Sequence, residues 1–199
     1  MNKTKIFFLI TTLLLSAATQ LYAQDALNLN FEKINPSTHT LEHWNMNMAT
    51  THSAGYISGI DSVIKKQGKY SLFIEKDTAV KNGSRVGACV NRFPVNFKGK
   101  EIKLTGYVKT QDVTRFASII IRLRDSNGEV TNNLAQLGKG IRGTTGWTKY
   151  SYKVPITSTT REISIVPNLM GNGKAWFDDF KLYVDGVPYD NVRKNNALK

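Results

Sequence analysis

Cysteine is nearly missing from this chain: Cys89 stands alone among 199 residues. A single thiol excludes an intramolecular disulfide, so stability must come from packing, with a metal ion as the available supplement. Cys89 also lies deep in the sequence, so no lipid anchor of the kind that needs a cysteine just after a leader is expected. Its surroundings, Val86-Gly87-Ala88-Cys89-Val90, describe a buried and inert thiol rather than a nucleophile. Histidine is almost as scarce. His39 and His43 are four apart and would offer two imidazoles to zinc from a helix, with His52 as a third; Thr38 to Met48 reads instead as a loop. After the first 23 residues no apolar run approaches the roughly 20 residues a membrane-spanning helix needs. There is no Gly-x-Ser-x-Gly elbow, no His-Glu-x-x-His, no phosphate loop and no Cys-x-x-Cys. Asp178 and Asp179 are neighbours in a strand-like run, so they point to opposite faces and cannot converge as the paired carboxylates of glycoside hydrolysis. No catalytic machinery is expected.

Residues 1–23 combine Lys3 and Lys5, an apolar run from Ile6 to Leu15 and a small-residue break at Ala23-Gln24. That is the pattern of a cleaved secretory signal, which predicts export to the periplasm or beyond. The remainder is long enough for one domain with its own core, expected over residues 24–187, with residues 188–199 as a flexible basic tail. The formal net charge is +12, of which Lys3 and Lys5 leave with the leader, so +10 remains. Such a balance favours polyanionic surroundings. The charge is spread along the chain, so nucleic acid is not the expected partner.

Helical periodicity is also scarce, and period-two alternation takes its place. It predicts strands at about 70–75, 86–94, 101–109, 116–124, 130–136, 147–154, 161–169 and 174–184. Turn chemistry separates them, as in Lys81-Asn82-Gly83-Ser84, Asp125-Ser126-Asn127-Gly128 and Gly171-Asn172-Gly173. About eight strands so punctuated make an all-β, two-sheet antiparallel sandwich, with residues 33–60 mostly in long loops. Alternation places Ala117, Ile119, Ile121 and Leu123 on a core face, with Ser118, Ile120, Arg122 and Arg124 opposite. Ile163, Ile165 and Leu169 likewise face in, and Ser164, Val166, Asn168 and Met170 face out. If their strands are neighbours, Tyr107, Arg122, Arg124 and Asn168 form a polar platform.

Two late stretches, Gly143-Thr144-Thr145-Gly146-Trp147-Thr148-Lys149-Tyr150 and Gly173-Lys174-Ala175-Trp176-Phe177-Asp178-Asp179-Phe180-Lys181-Leu182, resemble the closing strands of jelly-roll carbohydrate-binding modules, a galactose-binding-domain-like β-sandwich. Asn28-Leu29-Asn30-Phe31-Glu32 and Gly68-Lys69-Tyr70-Ser71-Leu72 are similar to the family's earlier landmarks. Gly106-Tyr107-Val108-Lys109-Thr110 is also similar to noncatalytic domains that precede erythromycin-esterase-like hydrolases. Asp61-Ser62-Val63 and Asp77-Thr78-Ala79 resemble O-glycosylation acceptors in exported proteins of the Bacteroidota. The resemblance implies a jelly roll, and a structural calcium held where the first strand's Glu32 meets the last strand's Asp178. On the residues alone, Asp178 could equally satisfy itself on backbone N–H groups.

The resemblance further implies an exported, non-catalytic protein that binds a poly- or oligosaccharide, with an acidic glycan favoured by the charge. Sugar recognition needs flat aromatic faces and planar polar side chains. The candidates are Trp44 and Tyr56 in the irregular 33–60 region, where aromatics either build sites or seal the core, together with Arg92, Tyr107, Arg122, Asn133 and Asn168. Two other readings stay open: a stand-alone cell-surface or periplasmic domain with a protein partner, and a small hydrolase or lyase on the same scaffold.

Overall fold

The computed structural model describes residues 26–46, 55–80, 86–132 and 140–197. Within them the alternating segments become β1 (Trp44–Asn45), β2 (Tyr56–Asp61), β3 (Ser71–Lys76), β4 (Val86–Ala88), β5 (Val90–Pro94), β6 (Glu101–Arg124), β7 (Ile141–Pro155), β8 (Glu162–Met170), β9 (Lys174–Val184) and β10 (Val187–Pro188). One helix, α1 (Tyr189–Ala197), follows. The all-β reading is right, and the strand expected at 174–184 is β9.

The organising element is β6, whose 24 residues join the two runs expected at 101–109 and 116–124. Its first half pairs with β9 on one side and β7 on the other, and its second half pairs with β8. Irregularities between Val108 and Ala117 bend and twist the strand, so it passes from one layer of the sandwich to the other. All pairings in the order β1-β5-β8-β6-β9-β3-β2 are antiparallel, with β4 added on β8, β7 on β6 and β10 on β9. The sheet is curled on itself as a jelly roll. Ile102, Leu104 and Val108 from its first layer meet Ala117, Ile119, Ile121, Leu123, Ile163, Ile165 and Leu169 from its second in one core.

That core draws in both loop aromatics proposed as sugar platforms. Trp44 is 6% exposed; its ring lies 5.0 Å from Phe31 and 6.2 Å from Phe180, and its Nε1 donates to the Asn28 carbonyl at 2.9 Å. Tyr56 is 2% exposed, and its hydroxyl donates to the Gly171 carbonyl at 2.9 Å. Neither can offer a ring face to a ligand. Aromatics recruited from an irregular segment gain more by sealing apolar surface, at about 25 cal/mol per Å2, than by standing in water.

The carboxyl end also departs from expectation. Instead of a tail from residue 188, Val187 and Pro188 pair with β9, and α1 docks through Tyr189. The Tyr189 ring packs 5.3 Å from Phe93 and 5.6 Å from Phe97. Asp190 in the first turn and Lys194 in the last suit the helix dipole. The run expected at 130–136 contributes a bridge from Val130 to Arg124 and hydrogen bonds of Thr131 and Asn132 with β6; residues 133–136 lie outside the described residues.

Candidate functional site

Antiparallel register sets side chains of neighbouring strands in rows across a face. On the outward face of β4, β5, β8 and the second half of β6, three such rows are defined by pairing. Ala88, Asn168 and Ser118 form the first; Arg92, Ser164 and Arg122 the second; Pro94, Glu162 and Arg124 the third. Between the first two, Val90, Ile120 and Val166 make a small apolar cluster separate from the main core. The alternation read from the sequence is therefore correct here.

The rows differ in what they leave free. Asn168 is buried and satisfied: its Oδ1 accepts from the Ser118 hydroxyl at 3.2 Å, and its Nδ2 donates to the Ser118 and Val166 carbonyls at 3.1 and 3.2 Å. It braces the sheet and has no capacity for a ligand. The other end of the face opens into a groove of about 510 Å3 lined by Arg92, Arg124, Asp125, Arg161 and Glu162 among others. There the Glu162 Oε1 lies 3.3 Å from Arg92 Nε and 3.1 Å from Arg124 Nη1. Arg124 also donates to the Ser164 hydroxyl at 3.3 Å. Arg122 stands beside Ser164 with no carboxylate partner among the described residues. Burial first, and then the charges of Arg124 and Arg92, hold its guanidinium below its ordinary pKa.

Tyr107 belongs elsewhere. It lies on the first half of β6, opposite Asp178 of β9 and Lys149 of β7, with the Lys66 ammonium 4.8 Å above its ring. The expected platform is thus divided: Arg122 and Arg124 share one layer with Asn168, and Tyr107 is on the other. Asn133 lies outside the described residues.

Strict alternation would put Asp178 on the core face with Phe180 and Leu182, and the structure does not. Phe177 and Phe180 both enter the core, three residues apart, which a period of two cannot produce. The extra residue is accommodated where Asp179 takes φ 51° and the β6–β9 register shifts. Asp178 therefore faces away from Phe180, beneath the loop that joins β2 to β3. Its Oδ2 accepts N–H groups of Lys66 at 2.6 Å and Gln67 at 3.0 Å, and its Oδ1 that of Asp179 at 2.6 Å. Glu32 holds the same loop through the N–H groups of Lys69 (2.9 Å) and Tyr70 (3.2 Å). All four carboxylate oxygens meet N–H donors. Positive ends of peptide dipoles ring these carboxylates, and no cluster of three His, Cys, Asp or Glu able to hold a metal occurs among the described residues. This arrangement does not fit calcium, which requires an oxygen cage. Burial pushes the Asp178 carboxyl up to about 6 against the pull of its three donors.

Cys89 is fully buried, and burial pushes its thiol up to about 12, so the thiolate is inaccessible at neutral pH. His39 and His43 are exposed in turns with φ of 55° and 65°; His52 lies outside the described residues. Glu162, Ser164 and Arg161 were not singled out from the sequence as site residues. Alternation signalled only that Ser164 faces outward, and nothing local marked the partnership of Glu162 with two arginines on other strands.

The curled antiparallel jelly roll is a fold shared with solved carbohydrate-binding modules and with a bacteriophage tailspike domain. The C-terminal family 22 carbohydrate-binding module of Clostridium thermocellum Xyn10B superposes with a TM-score of 0.51 at 13% identity, over 82% of this chain and 97% of that one. The tandem family 22 modules of Paenibacillus barcinonensis Xyn10C give 0.50 at 14%, over 78% and 44%. The enzymatically active domain of tailspike protein 4 from bacteriophage CBA120 gives 0.56 at 15%, over 82% and 22%. In sequence, the chain is 27% identical over 154 residues to YbfP, an uncharacterised helix-turn-helix-type transcriptional regulator of Bacillus subtilis. The match takes in 76% of this chain, which spans about half (52%) of the length of that relative. A helix-turn-helix needs two adjacent helices, and the described residues contain α1 alone. No protein-family profile matches the chain.

Proposed function

We propose that this is an exported, non-catalytic carbohydrate-binding domain whose ligand lies across the outward face of β5, β8 and the second half of β6. The observation that carries the reading is the row Arg92, Ser164, Arg122 beside the groove. With strands about 4.8 Å apart, the two arginines flanking β8 stand about 10 Å apart, a spread suited to a chain of sugars rather than a single small ion. Guanidinium groups are planar donors and pair with vicinal oxygens in a fixed geometry. Export is supported by the leader pattern in the sequence, and no helix among the described residues is long and apolar enough to cross a membrane.

The test is electrophoresis of the protein in native gels containing neutral or acidic polysaccharides, at low and high salt. Retardation that Arg122→Ala weakens and Tyr107→Ala leaves intact is the expected result. Loss with Tyr107→Ala alone would move the site to the other layer. Absence of retardation by every glycan would overturn the reading in favour of a protein partner.

A further inference from the structure

The groove carries an inference that rests on the carbohydrate-binding reading and narrows it. Arg92, Arg124 and Arg161 line it, and Arg122 stands beside it, in the row that Arg92 and Ser164 share on the same outward face. Two carboxylates face them, and both are engaged. Asp125 Oδ1 accepts the N–H groups of Asn127 at 2.9 Å and Glu129 at 3.0 Å, and Glu162 Oε1 is shared between Arg92 and Arg124. Four guanidinium groups against two carboxylates leave positive charge in excess on this part of the face, and half-buried Arg122 feels the like charges of Arg124 and Arg92. A partly desolvated cation near like charges is unfavourable until an anion joins it.

We propose that the outward face beside this groove binds a uronate, the carboxylate-bearing sugar unit of an acidic polysaccharide, with the Arg122 guanidinium gripping the carboxylate near Arg92 and Arg124. Guanidinium and carboxylate are both planar and pair through two parallel N–H···O bonds. Ser164 beside Arg122 is buried and already receives Arg124, so this part of the face is fixed before ligand arrives. The neutral rings then lie along the face, and the sugar backbone is held by its charged substituent rather than by stacking, since Trp44 and Tyr56 are in the core.

Native gels containing polygalacturonate, alginate or fully methyl-esterified polygalacturonate test this, because esterification removes the charge and leaves the sugar chain. The expected result is retardation by polygalacturonate or alginate and little by the ester. Arg122→Ala should weaken it on the order of tenfold or more, the scale of a lost charged hydrogen-bond pair, and Arg122→Lys should fall between. Lys149→Ala removes one exposed positive charge from β7 in the other layer and should leave retardation unchanged. Melting temperatures confirm that each variant is folded. Equal weakening by Lys149→Ala, or full retention by Arg122→Lys, overturns the arginine grip. Equal retardation by the ester overturns the uronate while leaving carbohydrate binding in place. No retardation by any of these polymers or by neutral glycans overturns both.

Discussion

Glu162 stands between Arg92 and Arg124, taking both guanidinium groups on one carboxylate oxygen, at 3.3 and 3.1 Å. It is the one carboxylate bound directly to the arginine cluster among the described residues, and both pairs are partly exposed. Pairs of that kind stabilise by about 0–1 kcal/mol each. Glu162→Gln should thus lower the urea midpoint only slightly. Its larger effect should be on binding: releasing two arginines should strengthen salt-sensitive retention on acidic polysaccharide. Weaker retention on a folded variant would show that Glu162 itself touches the ligand.

The loop between β2 and β3 is held by carboxylates on backbone N–H groups, so its stability should not depend on calcium. Chelator should leave the melting temperature unchanged, and added calcium should not raise it. Glu32→Ala removes a charged acceptor from two N–H groups and should cost about 1–3 kcal/mol. A chelator-induced fall in melting temperature that Glu32→Ala abolishes would establish a cation at this place.

Asp178 makes the same loop sensitive to pH. Its carboxyl is raised from 3.8 to about 6 in the folded chain, so between those values the folded state holds a proton that the unfolded state has released. Its contribution to stability is then fully present below pH 3.8 and is lost as pH rises through 6. The melting-temperature difference between the native protein and Asp178→Asn should move in favour of the native protein as pH is lowered from 7 to 4. A constant difference, or one of opposite slope, would show that the three N–H donors outweigh burial.

Gly106 is required by contact rather than by backbone conformation. A Cβ there would lie 2.3 Å from the Phe180 ring, which is itself packed against Phe31 at 5.0 Å and cannot withdraw. Gly106→Ala should destabilise by about 1–3 kcal/mol. Gly146, where a Cβ would meet nothing within 4 Å, should accept Ala with no loss. Equal denaturation midpoints for the two variants would mean that Phe180 has room to move.

The features legible in the amino-acid order are local ones. Alternation over 116–124 and 161–170 assigned inward and outward residues correctly because side-chain direction in a strand follows from the backbone alone. For the same reason β9 was legible to its ends, and the apolar setting of Cys89 announced a buried thiol. The features that were not legible depend on partners distant in sequence. Two predicted strands proved to be one because β6 bends between layers, which put Tyr107 and Arg122 in different layers of the curled sheet. A single bulge at Asp179 reversed the facing of Asp178, and nothing in a period-two pattern marks a bulge that is stabilised by the strand beside it. Trp44 and Tyr56, expected in loops, start the short strands β1 and β2 and enter the core, since burial rewards any aromatic that can reach it. The basic groove exists because register sets Arg92, Arg122, Arg124 and Glu162 side by side, and register is a property of the assembled sheet.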